Sequence, residues 1–154
     1  MSTQVPITYQ IYQAERAIHQ QMNKALQDKG FPILIEQWPV LSEIFFTNGI
    51  TQQDLADRIK KNKTTLTRIL NTLEKNGLIR REVSKIDRRK KNLFYTEKAN
   101  GLRPKVIEVL KAQSEFILQG FDKETERGMR KGLGIIFRNL TWEFNFSENK
   151  YSFK

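Results

Sequence analysis

The chain has 154 residues, with 27 Lys plus Arg against 17 Asp plus Glu, one His and no Cys, giving a formal charge of +10. It is long enough to bury a core without metal or disulfide staples, and 38% hydrophobic content fits a globular protein rather than a disordered polycation. Without Cys there is no disulfide framework, cysteine zinc site or reactive thiol.

From Ile7 to Leu26, apolar residues recur at Ile7, Ile11, Ala14, Ile18, Met22 and Ala25, which predicts a helix with one apolar stripe that needs a partner surface. No run of about 20 apolar residues spans a bilayer here or elsewhere, and none of the signal-peptide kind opens the chain, so a protein of the cytoplasm is expected. Gly30 and Pro32 end this helix. Ile33 to Phe46 is apolar on nearly all sides and predicts a buried helix that starts close before Pro39 or bends there, because proline lacks an N–H.

Thr51-Gln52-Gln53-Asp54 is a helix-capping sequence, and Leu55, Ala56 and Ile59 form the buried side of the helix it opens. After a break at Lys61, Asn62 caps a second helix with Leu66, Ile69, Leu70 and Leu73 at i, i+3, i+4 and i+7, stopped at Gly77. The opposite face presents Lys63, Thr64, Thr67, Arg68, Asn71 and Lys75, with Thr65 at its margin. Short hydroxyls, an amide and an Arg are the groups that hydrogen-bond base edges and phosphates. Leu78 to Ile86 and Asn92 to Thr96 predict a two-stranded ribbon whose tip carries Asp87, Arg88, Arg89, Lys90 and Lys91, with Asp87 expected to hold an Arg in an ion pair. Between Thr51 and Lys91 there are 13 basic and five acidic residues, a surplus of eight, so most of the net charge sits here. A merely solubilising surface would spread it; concentration points to an anionic partner, nucleic acid foremost.

The last third returns to helix. Val106, Val109, Leu110, Gln113 and Ile117 share a face ended by Gly120, with Pro104 expected to kink or delay the helix. Asp122 caps a final helix carrying Met129, Leu133, Ile136, Phe137, Leu140 and Phe144, followed by an aromatic tail of Trp142, Phe146, Tyr151 and Phe153.

Capped helix, break, second helix and basic ribbon make a winged helix-turn-helix, and in this the sequence resembles the MarR family of bacterial transcriptional regulators. The resemblance rests on Glu36-Gln37-Trp38-Pro39-Val40-Leu41, Thr51-Gln52-Gln53-Asp54-Leu55-Ala56, Lys63-Thr64-Thr65-Leu66-Thr67-Arg68 and Leu73-Glu74-Lys75-Asn76-Gly77-Leu78-Ile79, with Asp87-Arg88-Arg89 and then Thr96 in the wing. Tyr95 replaces the family's usual Leu, and Pro39 stands where a small helix former is usual.

The resemblance implies a mainly α fold with a small β wing. Residues 1–32 and 97–154 would supply N- and C-terminal dimerisation helices, with the aromatic tail on the partner, and residues 33–96 the winged helix-turn-helix. It implies a homodimer on a pseudo-palindromic double-stranded DNA operator. Lys63, Thr64, Thr65, Thr67, Arg68 and Asn71 would face the major groove, and the wing residues Asp87, Arg88, Arg89 and Lys90 the minor groove, Arg89 positioned by Asp87. It further implies a repressor released by a small aromatic or anionic effector, for which Tyr9, Tyr12, His19 and Trp38 are candidate contacts, although a core role for Trp38, interface roles for Tyr9 and Tyr12 and a surface or hydrogen-bonded role for His19 suit them better. The lack of Cys sets the chain apart from the family's thiol-based peroxide sensors. No cofactor or metal is implied. An enzyme finds no motif in a chain with one His and no Gly-rich phosphate loop; a sequence-neutral architectural nucleic-acid binder is the alternative that charge alone permits.

Overall fold

A computed structural model describes residues 4–141. The first helix, α1 (Ile7–Asp28), is followed by a single 3-10 turn (Ile35–Gln37) that leads directly into α2 (Trp38–Phe46). Pro39 falls in the first turn of α2, where its missing N–H has no intrahelical partner to lose. The chain then runs through β1 (Ile50–Thr51), α3 (Gln52–Ile59), α4 (Lys63–Lys75), β2 (Ile79–Val83), β3 (Lys91–Tyr95), α5 (Glu97–Ile117) and α6 (Lys123–Asn139).

The mainly helical winged fold is the one expected, but the wing sheet has three strands rather than two. β1 pairs antiparallel with β3 through Ile50 with Leu93 and Thr51 with Asn92, and β3 also pairs with β2 from Ile79–Tyr95 to Val83–Lys91. Two residues, one of them the N-cap of α3, carry no alternation of their own, and only the neighbouring strand makes them a strand. α5 is not delayed: it begins at Glu97 and carries Pro104 in its interior. The final helix ends at Asn139, and Phe144 and the aromatic tail lie outside the described residues.

One core joins the parts. Met22 and Leu26 from α1, Leu41 and Ile44 from α2, Leu55 from α3, the four-residue stripe of α4, Leu93 from β3, and Val106 and Leu110 from α5 are all buried together. Arg103 of α5 lies over the rings of Phe45 and Phe46, at 4.8 and 5.7 Å. The substitution at Tyr95 has a partner as well, its ring 5.1 Å from that of Phe45.

Side-chain caps fix the helix boundaries. Thr51 Oγ1 accepts from the Asp54 N–H at 3.1 Å and Asn62 Oδ1 from the Thr65 N–H at 2.8 Å. Asp122 accepts from the Thr125 N–H at 2.7 Å, and this bond to the backbone lowers the Asp122 carboxyl below its usual pKa. α4 ends in a Schellman motif: the Leu78 N–H donates to Leu73 C=O and the Gly77 N–H to Glu74 C=O, both at 2.9 Å, with Gly77 at φ +71°. Thr96 closes the wing and opens α5 at once, its hydroxyl donating to Gly77 C=O at 2.6 Å while accepting from the Ala99 N–H at 3.2 Å.

A left-handed conformation costs a side chain about 1–2 kcal/mol. Gly77→Ala is therefore expected to lower unfolding stability by roughly that amount in urea titration, and an unchanged midpoint would show that this turn does not require glycine.

Candidate nucleic-acid interface

The polar face of α4 is built by elimination. Leu66, Ile69, Leu70 and Leu73 are buried, so Lys63, Thr64, Thr67, Arg68, Asn71 and Lys75 are turned to solvent, where with Thr72 they line one open concavity. Thr65 is half-buried at the margin. Gln52, at the start of α3, donates to Thr67 Oγ1 at 3.3 Å, which ties the two helices together beside that face and leaves the Thr67 hydroxyl proton free to donate. The first turn of α4 contains no acid, so the helix N-terminus keeps its positive end unopposed.

The wing tip is a closed turn organised by two small side chains. Ser84, buried in the turn, accepts at Oγ from the N–H groups of Ile86 and Asp87, at 3.2 and 3.3 Å, while its own N–H donates to Lys90 C=O at 2.9 Å. Asp87 Oδ1 accepts from the backbone N–H of Arg89 at 3.0 Å. The expected ion pair from Asp87 to an Arg side chain is thus replaced by a bond to main chain. A short Asp side chain two residues before an N–H closes a turn more readily than it reaches a long guanidinium. Asp87 still positions Arg89, through the backbone, and the side chains of Arg88, Arg89 and Lys90 project from the tip into solvent.

Charge counting alone overstates the free cations of this segment. Arg81 on β2 is tied to α4, donating to Glu74 Oε2 and, at 2.9 Å, to Asn71 Oδ1, and its side chain is only 14% exposed. Arg80 pairs with Glu82 and lies 4.7 Å from the Phe94 ring centre. Arg58 donates to Thr47 Oγ1 at 2.8 Å, with Glu43 Oε2 at 3.7 Å. Sequence reasoning missed Ser84 and Arg81. Ser three residues before Asp is a visible turn signal, but the partners of Arg81 exist only once β2 lies against α4.

The four candidate effector contacts do not converge. Trp38 is buried against Phe45, ring centres 6.3 Å apart. Tyr9 and Tyr12 stand exposed and adjacent on the first turns of α1, and His19 sits 3.3 Å from Glu15 on the same helix. None of them lines the groove of ≈ 600 Å³ between α1 and α5, whose walls include Gln21, Ala25, Phe31, Lys105, Val109 and Gln113.

An exposed hydrogen-bonding helix beside a basic β hairpin defines a winged helix-turn-helix, DNA-binding class of protein, and comparison with known proteins gives the same class. Residues 33–91 match the sequence model of the MarR family. The chain is 28% identical over 127 residues to the HTH-type transcriptional regulator YybA of Bacillus subtilis, covering 81% of this chain and 85% of that protein. Among solved structures it is similar to a MarR transcriptional regulator from Methanosarcina mazei, with a TM-score of 0.72 and 28% identity over 88% of this chain and 96% of that one. It shares the fold of Staphylococcus aureus MepR, solved with DNA, with a TM-score of 0.78 at 21% identity over 88% and 99% of the two chains. The winged lobe is that of the MarR family, and the protein is a sequence-specific DNA-binding transcriptional regulator.

Replacing Arg68 by Ala is expected to weaken operator binding by about 1–3 kcal/mol and relax base preference at one half-site position. Arg89→Ala should cost affinity with less change of major-groove preference. Titrations in which both variants bind as tightly as the parent would remove these residues from the interface.

Proposed function

We propose that the protein works as a two-fold dimer on a pseudo-palindromic operator. α4 lies in the major groove through Lys63, Thr64, Thr67, Arg68 and Asn71, and the wing reaches the adjacent minor groove through Arg89 flanked by Arg88 and Lys90. The observation that carries the docking is the shared exposure of the α4 face and the wing tip, two basic surfaces held on one sheet-and-helix unit. We read the protein as a repressor in the cytoplasm, where blocking a promoter needs no more than stable occupancy of DNA. No catalytic chemistry is assigned to it.

Two-fold assembly is supported by apolar surface that the single chain leaves uncovered. α6 buries none of its residues, though Met129 and Ile135 project from it, and the first turns of α1 expose Ile7, while Phe116 stands exposed near the end of α5. Helices with bare apolar faces are stable when a second surface covers them, and like faces on two copies satisfy this by symmetry. Residues 1–32 and 97–154 would then form the dimer body that spaces two winged lobes about one helical turn, roughly 10 bp, apart.

The groove between α1 and α5 is the better candidate for an effector than the residues chosen from sequence. Three lysines, Lys24, Lys29 and Lys105, against Asp28 and Glu108 leave the groove a net positive charge beside Phe31 and Val109, which suits a small aromatic anion. Release of a labelled operator by small aromatic carboxylates, lost when Val109→Trp fills the groove, would support this; release unaffected by that change would move the site elsewhere.

The dimer is tested with Met129→Glu combined with Ile135→Glu. Sedimentation should show a dimer for the parent and a monomer for the variant. Loss of the second half-site should weaken operator binding by about a hundredfold or more. A monomeric parent, or a variant that stays dimeric, would contradict the assembly.

A further inference from the structure

We propose that Arg81, which touches no base itself, sets the base preference of Asn71 by holding its side-chain carbonyl, so that Asn71 meets the groove as a donor and favours guanine. The inference rests on the docking of α4 proposed above. It follows from the chemistry of one contact. A guanidinium can only donate, so the Asn71 atom 2.9 Å from Arg81 Nη2 must be the carbonyl oxygen, and the amide cannot turn over without setting donors against donors. Arg81 cannot readily follow a rotating partner either. Its Nη1 is engaged by Glu74 on the same helix, and its side chain is 14% exposed.

An unconstrained Asn reads adenine by donating to N7 and accepting from the N6 amino group. Here the accepting end is already drawn toward a cation, and the exposed Asn71 is left with the two N–H groups of Nδ2 as its strongest outward function. Guanine presents two acceptors, O6 and N7, on its major-groove edge, whereas adenine presents one acceptor beside a donor that would compete with Arg81. The guanidinium therefore converts a side chain that ordinarily selects adenine into one that selects guanine. Glu74, by balancing the charge of Arg81, keeps the bridge on α4 instead of releasing the Arg toward phosphate.

Selection of bound duplexes from a random library at about 150 mM salt, repeated with variants, tests this position by position. The parent should enrich guanine about fivefold or more at one position of each half-site. Asn71→Ala should level that position and leave the others intact. Arg81→Met, shown to be folded by its melting transition, should let adenine rise to match guanine there, an effect that a merely structural role for Arg81 would not produce. Should Arg81→Met fail to fold, Asn71→Asp carries the test: an acceptor-only side chain at the same place should move the position to cytosine, whose N4 amino group donates. An adenine preference in the parent that Asn71→Ala removes would overturn the proposal. So would an unchanged position in folded Arg81→Met or in Asn71→Asp, or a uniform loss of affinity in Asn71→Ala, which marks a phosphate contact. Arg68→Ala in the same selection separates the two claims. If it levels its own position while Asn71→Ala levels none, only the role of Arg81 and Asn71 falls; if Arg68→Ala changes no position, the docking of α4 falls with it.

Discussion

Burial of Leu66, Ile69, Leu70 and Leu73 is the constraint on which the proposed DNA-facing surface depends. Each such side chain gains about 1.5–3 kcal/mol by leaving water, so turning α4 about its axis would sacrifice more than any surface contact could return. The rotation of the helix is thereby set by its apolar stripe, and the polar face is exposed because it has nowhere else to go. Recognition chemistry and core packing are thus two sides of one helix. A core defect under the stripe should disturb DNA readout without touching a DNA-facing residue.

The wing is attached to that helix by specific polar joints rather than by apolar burial alone. Arg81 bridges β2 to Glu74 and Asn71, and Thr96 fastens the end of β3 to Gly77, while Lys98 of α5 adds a bond to the same turn, donating to Asn76 C=O at 2.7 Å. These bonds converge on the C-terminal half of α4 and the turn that leaves it. They hold the hairpin at a fixed offset from the polar face of α4, which the proposed docking in two adjacent grooves requires. The tip itself is shaped by Ser84 and Asp87, whose bonds to main chain make a turn out of a run of like charges that would otherwise repel.

What sequence made legible was local. The stripe of α4, the caps at Thr51, Asn62 and Asp122, and the stop at Gly77 each depend on a few neighbouring residues, and each stands where periodicity and capping chemistry placed it. What was illegible depends on residues distant in the chain. β1 is a strand only because β3 lies beside it. Arg81, counted with the DNA-facing charge, is turned inward by partners on another element. Asp87 bonds the backbone of Arg89 rather than a guanidinium, since composition shows a carboxylate next to Arg but not whether a turn brings the backbone closer. The resemblance makes Trp38, Tyr9, Tyr12 and His19 candidate contacts of one effector, and the fold of the single chain separates a core ring from an exposed helix surface.

Dimethyl sulfate probing of an operator bound by the protein reads both grooves at once, because the reagent methylates guanine N7 in the major groove and adenine N3 in the minor groove. Two-fold docking of α4 and the wing should give guanine N7 protection in two patches on one face of the duplex, about one helical turn apart, with protected adenine N3 atoms flanking them where the wings enter. Protection confined to the minor groove, or a single unpaired patch, would contradict a two-fold docking of α4 and the wing.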